Sequence, residues 1–371
     1  MQQIIAGKPA TGEHFVGRQS ELQQIIQLTE QGQSVVLIAP RRFGKTSLLL
    51  KVIEHFKRNG YYISYVDLFS APTLEILAYQ ITHAVLKNKR LEGIFHNLRN
   101  NAVAMLKNIH LKAVIENFEY LIGFASQKPD PWNLISESVD FIDGFSQKNN
   151  RKMVVGLDEF GDINRLDGDA IVKLFRSKIQ LQKNATYIFC GSYESVMHSL
   201  FTSKSAPFYR FARIITLGFI DCNEFKGYLR KQLKRAGVSA DKAYVDRLLD
   251  ITKGHPYYTR LFLQQILLHQ TLEQKLPGLD ELTREVLTIE KNYLEKVWEE
   301  ICARKENMLV LLAVIQTPNE VYTSLKSQNI NVFRALKSLT GKGLLFKGLN
   351  RKYEVTDPLL ERWIREAVLK I

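Results

Sequence analysis

Short apolar runs rich in β-branched and aromatic residues alternate with stretches of helical periodicity through the first half of the chain. Runs at 34–38, 61–69, 152–157 and 185–190 are each closed by polar or glycine-containing segments, which predicts strands buried on both faces of a parallel sheet. Residues 47–53 have the apolar density of a helix packed on such a sheet, and 73–145 reads as helices interrupted by Pro129 and Pro131. From about 221 onward apolar positions recur at helical spacing through 228–230, 245–250 and 257–269, and 279–301 continues as a connecting helical segment. After Lys305 the pattern shortens to helices at 308–315, 321–326 and 332–340, followed by a ribbon at 344–349 and 352–355. The expected architecture is α/β: a parallel sheet flanked by helices over 1–220 with a helical insertion at about 73–145, a helical lid over 221–301, and a winged helix-turn-helix over 302–371.

The first strand runs directly into Ala39-Pro40-Arg41-Arg42-Phe43-Gly44-Lys45-Thr46-Ser47. A loop of this kind turns consecutive backbone N–H groups onto phosphate oxygens, and the helix after it adds the positive end of its dipole. Lys45 is expected at the β- and γ-phosphates and the Thr46 hydroxyl on Mg²⁺, so the sheet is expected to be that of a P-loop NTPase. The motif G-x-x-x-x-G-K-[ST] has glycine where Ala39 stands. Alanine at positive φ costs about 1 kcal/mol, so either Ala39 has ordinary backbone or the loop carries strain.

The third run ends in Asp158-Glu159. A carboxylate at the tip of a parallel strand near such a loop accepts from a water on Mg²⁺, the role expected of Asp158. Glu159, just past the tip, is placed to polarise the water that attacks the γ-phosphate. An acidic pair after a strand also serves as a helix cap, which is the alternative for these two residues taken alone. The fourth run ends in Gly191-Ser192, where the Ser192 hydroxyl either contacts the γ-phosphate or its water, or belongs to a simple turn.

Composition narrows the field. With 45% hydrophobic and 24% charged residues, the chain reads as soluble and globular. No apolar stretch approaches the ~18–20 residues needed to span a bilayer. Cys190, Cys222 and Cys302 are far apart without metal-ligand spacing, and the N-terminus lacks an export pattern, which together point to a cytoplasmic protein with no membrane partner.

Several motifs in order resemble one family. Phe15-Val16-Gly17-Arg18-Gln19-Ser20-Glu21-Leu22, the phosphate loop, Leu157-Asp158-Glu159-Phe160, Phe189-Cys190-Gly191-Ser192, Pro207-Phe208-Tyr209-Arg210, Gly254-His255-Pro256-Tyr257-Tyr258 and Thr356-Asp357-Pro358-Leu359-Leu360 are similar to motifs of the prokaryotic AAA+/STAND group known as archaeal-type ATPases. The resemblance implies ATP or ADP with Mg²⁺ bound between the α/β domain and the lid, and a C-terminal winged helix. It implies that Phe15 and Val16 pack on the base, that Arg18 fixes their segment, and that Pro256 packs against the nucleotide. His255 is implied as a phosphate-facing or lid-coupling residue. Pro40, Arg41, Arg42, Phe43, Gly44 and Ser47 belong to the nucleotide-holding loop, the two arginines either shielding phosphates or pinning the loop. Arg210 is the implied arginine finger, with Arg176 and Arg260 as rivals; archaeal members tend to carry their arginine one residue later, where this chain has Phe211.

A net charge of +13 makes anionic partners plausible. Arg334 and Lys337 on the third C-terminal helix, with Lys347, Arg351 and Lys352 on the ribbon, fit duplex DNA. Lys87, Lys89, Arg90, Arg99 and Lys107 put a second basic surface on the helical insertion. Two functions stand side by side: an ATPase whose hydrolysis drives assembly on DNA or within a protein complex or homo-oligomer, and a slow or non-hydrolysing nucleotide switch whose winged helix is a structural latch.

Overall fold

The structure, a computed structural model, describes residues 4–89, 130–192, 194–348 and 352–371. Its centre is a five-stranded parallel sheet made of β1 (Val35–Ile38), β2 (Tyr62–Asp67), β3 (Met153–Asp158), β4 (Ala185–Gly191) and β5 (Arg213–Thr216). The strand order is β2-β3-β4-β1-β5. The expected strands all form, and β5 is an addition: it pairs in parallel with β1 from Val35↔Arg213 to Ile38↔Thr216. The strand of the phosphate loop and the strand of Asp158 are not neighbours, because β4 lies between them. A side chain from the loop must therefore reach across the tip of β4 to meet Asp158.

β2 ends at Asp67, two residues earlier than its apolar pattern suggests. The Asp67 carboxylate accepts from Phe69 N at 3.1 Å and turns the chain into a short 3₁₀ segment, Leu68–Ser70. This is a side-chain cap outcompeting strand continuation.

One face of the sheet is covered by α1 (Gln19–Glu30) and α2 (Lys45–Arg58), whose Leu22, Ile25, Leu48, Leu49, Val52 and Phe56 are buried against β1, β3 and β4. The other face carries α3 (Leu74–Leu86), α4 (Pro131–Lys148) and α5 (Asn164–Ile179) in a single core with Val155, Tyr187 and Phe189. The described ends of the expected helical insertion, α3 and α4, thus pack as part of the main core. Pro131 begins a helix instead of interrupting one: it sits in the first turn, where its missing N–H costs nothing, and the Asp130 carboxylate accepts from Trp132 N and Asn133 N. Pro129, Arg90, Arg99 and Lys107 lie outside the described residues, as does Arg351.

Between β4 and β5 lies α6 (Glu194–Phe201), and after the sheet come α7 (Cys222–Arg235), α8 (Lys242–Thr252), α9 (Pro256–Glu273) and α10 (Leu279–Cys302). Three further helices, α11 (Lys305–Gln316), α12 (Val321–Ser324) and α13 (Val332–Gly341), precede an antiparallel ribbon of β6 (Leu345–Lys347) and β7 (Tyr353–Val355) and then α14 (Pro358–Trp363), which runs on as a π-helix over Ile364–Leu369. One apolar core runs from Ile220 and Phe225 through Ile301 and Val310 to Leu360 and Ile364. The C-terminal helices therefore share their interior with α7–α10. They also touch the sheet domain: the Phe346 ring lies 5.6 Å from Phe219, and a Cβ on Gly343 would be 3.6 Å from Pro40. Among the described residues no helix is long and apolar enough to cross a membrane.

Candidate functional site: the cavity at the strand tips

The phosphate loop resolves the question about Ala39. That residue is fully buried with an ordinary backbone, and the left-handed positions of the loop are Arg42 (φ 68) and Gly44 (φ 85). The strain falls on Arg42, a residue without glycine's freedom.

Lys45, only 5% exposed, donates from Nζ to the carbonyls of Ala39 and Pro40 at 2.9 and 3.0 Å. Burial pulls its pKa down, against the opposing pull of Glu159 and Asp158. Beside it, Thr46 Oγ1 donates to Asp158 Oδ2 at 2.8 Å, which spans the gap left by β4. The Asp158 carboxylate also accepts from Tyr65 Oη at 3.2 Å and from Glu159 N at 3.1 Å. Glu159 has left-handed backbone, φ 47, and both its carboxylate oxygens are held by Ser192: Oγ donates at 2.7 Å and the backbone N at 3.3 Å.

These groups line one end of a cavity of about 610 Å³. The same end includes Tyr65, Asp67 and Asp162, none of which was singled out in the sequence. Burial, and behind it the carboxylates of Asp158, Glu159 and Asp162, hold Asp67 above the usual carboxylate range. Burial does the same for Asp162 and raises the Tyr65 phenol, which Asp158 raises further.

The lining also has apolar members: Phe15, Val16 and Pro256, together with Ile220 and Phe225. Arg18 anchors the Phe15–Val16 segment: its guanidinium donates to the Gly218 carbonyl and pairs with Glu21 at 3.0 Å. A strap of residues 6–10 also lines the cavity, fastened by Ala10 N to Ser47 Oγ at 2.8 Å and by Ala6 N to Gln264 Oε1 at 2.9 Å.

Other expected residues lie elsewhere. His255 is buried outside the cavity lining, capping α9 through Tyr258 N to Nδ1 at 3.4 Å, with its ring centroid 4.6 Å from that of Phe43. Burial first, and the Arg42 charge second, push its pKa down to about 3, so it is a neutral group packed between Phe43 of the loop and the start of α9. Pro40 contributes its carbonyl to Lys45 without lining the cavity. Arg41 lines it. Arg42 lines it too, but its guanidinium runs to Glu290 at 2.6 Å and lies 4.1 Å from the Tyr257 ring and 4.6 Å from that of Tyr293. Arg210 stands apart from the cavity, exposed, over the Tyr209 ring at 5.2 Å. Arg176 braces the same segment by donating to the Pro207 carbonyl at 3.0 Å. Of the three candidate finger arginines, Arg260 alone lines the cavity, and it donates to the carbonyl of Ile5, just before the strap, at 2.8 Å and to that of Lys8 within it at 2.9 Å.

The model of an ATPase domain predominantly from Archaea matches residues 15–262, well over half the chain. The chain belongs to that family. It is accordingly a P-loop ATPase that binds ATP or ADP. A Walker-type ATPase of Pyrococcus abyssi superimposes with a TM-score of 0.73 at 15% identity, covering 98% of this chain and 100% of that one. The Aeropyrum pernix ORC2 protein, in its ADPNP-ADP complexes, gives 0.51 at 15% identity over 96% and 98%. At these identities the likeness is one of fold. No curated protein matches the sequence.

Proposed function

We propose that this archaeal-type ATPase hydrolyses ATP with Mg²⁺ in the cavity at the strand tips and uses the cycle to reposition its lid and C-terminal helices, coupled to DNA or to assembly of a protein complex. The observation that carries this reading is the Thr46–Asp158 hydrogen bond of 2.8 Å beside Glu159, Ser192 and Lys45. Phe15, Val16 and Pro256 would hold the base, and Gly44, Lys45, Thr46 and Ser47 the phosphates. The oxygen donors suit Mg²⁺, a hard cation that takes one or two carboxylates or hydroxyls and completes its shell with phosphate and water. Thr46 and Asp158 would hold it. When bound, it draws charge from the phosphate oxygens. Glu159 would orient the water, and Ser192 would report on the γ-phosphate.

The C-terminal order of three helices and a ribbon is read here as a winged helix. Arg334, Lys337, Lys347 and Lys352 are exposed on it. Truncating this module would open the apolar core it shares with α7–α10, so charge reversal is the cleaner test. Arg334→Glu with Lys337→Glu is expected to weaken retention on mixed-sequence duplex DNA at low salt by about tenfold or more and to flatten its salt dependence. Unchanged retention would move the DNA surface off this helix.

A second reading, a nucleotide-held switch of STAND type with slow turnover, is favoured by the Arg42 cluster. Glu290, 5% exposed, accepts from Arg42 at 2.6 Å and from Tyr257 Oη at 2.6 Å. The strained residue of the phosphate loop is thereby clamped to α9 and α10, so a nucleotide that reshapes the loop pulls on both helices. Glu290→Gln keeps the shape and removes the charge; stopped-flow release of a fluorescent ADP is expected to quicken about five- to tenfold. An unaltered release rate would leave the clamp without a part in nucleotide exchange. Arg210, outside its own cavity, would act as a finger only toward a second copy in a homo-oligomer.

A further inference from the structure

Resting on the magnesium reading above, we infer that Tyr65 is a positioning residue for the metal end of the site: its phenol fixes the rotation of the Asp158 carboxylate so that one oxygen stays turned toward the bound ion's water. β2 and β3 run parallel with Tyr65 opposite Gly156 and Asp67 opposite Asp158. Side chains two apart on a strand share a face, and Tyr65 and Asp67 both line the cavity.

Gly156 leaves the place beside Tyr65 free of any side chain. A Cβ there would lie 3.1 Å from Leu49 Cδ1 and 3.2 Å from Ile53 Cδ1 of α2, so helix and strand already meet closely at that point. The phenol reaches from its own strand to the next one, to Asp158 Oδ2 at 3.2 Å.

Donor accounting for Asp158 gives Tyr65 its role. Oδ1 accepts from Glu159 N, and Oδ2 accepts from Thr46 Oγ1 and Tyr65 Oη. The Thr46 hydroxyl would also offer its lone pair to the metal, which leaves Tyr65 as the donor to Oδ2 that would have no second task there. Outer partners of this kind orient metal-binding groups, and removing one typically weakens metal binding by about 10- to 100-fold.

The test uses the full chain, a fluorescent non-hydrolysable ATP analogue, and Mg²⁺ as titrant. Tyr65→Phe keeps the ring and deletes the donor. Affinity for the analogue in EDTA is expected to stay as in the parent, while the Mg²⁺ concentration giving half of the metal-dependent tightening rises about tenfold. An unmoved Mg²⁺ midpoint overturns the inference. So does an equal loss of affinity with and without metal, which would mean that the phenol only shapes the pocket. Asp158→Asn separates this from the reading beneath it: loss of the metal-dependent tightening in that variant alone leaves Asp158 in place and removes Tyr65, whereas tightening that survives Asp158→Asn removes both.

Discussion

The Glu159→Gln variant is expected to bind ATP as tightly as the parent and to turn it over about 10²- to 10⁴-fold more slowly. Both oxygens of the Glu159 carboxylate are engaged by Ser192, so the group rests on its neighbour. A γ-phosphate that takes the Ser192 hydroxyl for itself would free the carboxylate to polarise a water. Glutamine keeps an oxygen that accepts from Ser192, and the left-handed turn at φ 47 is as available to it as to glutamate. What it lacks is the negative charge and the capacity to take a proton. Lys45 and Thr46 are untouched, so binding persists. Single-turnover hydrolysis of labelled ATP, read beside equilibrium retention of the nucleotide, checks both halves. Turnover at the parent rate would give the water to another residue, with Asp162 and Asp67 lining the cavity alongside Asp158.

Much of this site is legible in local sequence because its chemistry is local. The loop 39–47 and the pair Asp158-Glu159 each follow an apolar run, and a parallel strand that stops at such a pair leaves it at the carboxyl end of the sheet, where ligands bind. Strand order is different in kind. That β4 separates β1 from β3 depends on which way each crossover travels, and no residue of the strands themselves encodes it. β5 escaped notice for a simpler reason: Arg213–Thr216 buries only one of its residues, so it offers no apolar run to find. Arg42 shows the limit of motif reading. Its position says phosphate, but its guanidinium is claimed by Glu290 almost 250 residues later, a long-range pairing invisible in the loop. Tyr65 was equally silent, since a tyrosine in an alternating strand looks like packing until its register with Gly156 and Asp158 is known. The resemblance to archaeal-type ATPases supplied what spacing did not, namely Phe15, Val16 and Pro256, which line the cavity. Arg210, the candidate finger one residue before the family's usual position, stands outside the cavity beside Tyr209.

Lys45→Ala is expected to remove nucleotide binding while leaving the fold intact, and the structure says why the two effects separate. The ammonium is nearly buried, and burial depresses its pKa, so the folded chain carries a charge in a poorly solvated place. Two loop carbonyls compensate it. Deleting the whole side chain removes the charge together with its desolvation cost, which makes a strong loss of stability in the unliganded protein unexpected. The liganded protein is another matter. A charge-assisted contact to phosphate in a closed site contributes about 1.5–3 kcal/mol per hydrogen bond, and Lys45 would supply more than one, so affinity should fall about 100-fold or further. At an ADP concentration about 100 times the parent's dissociation constant, the nucleotide stabilises the parent by about 2.7 kcal/mol and a variant bound 100-fold more weakly by only about 0.4 kcal/mol. Thermal melts with and without ADP and Mg²⁺ read this directly. The parent's melting temperature should rise with nucleotide, and the variant's should start near the parent's unliganded value and barely move. A variant that gains as much from ADP as the parent does would place the phosphates away from Lys45 and take the central assignment of the cavity with it.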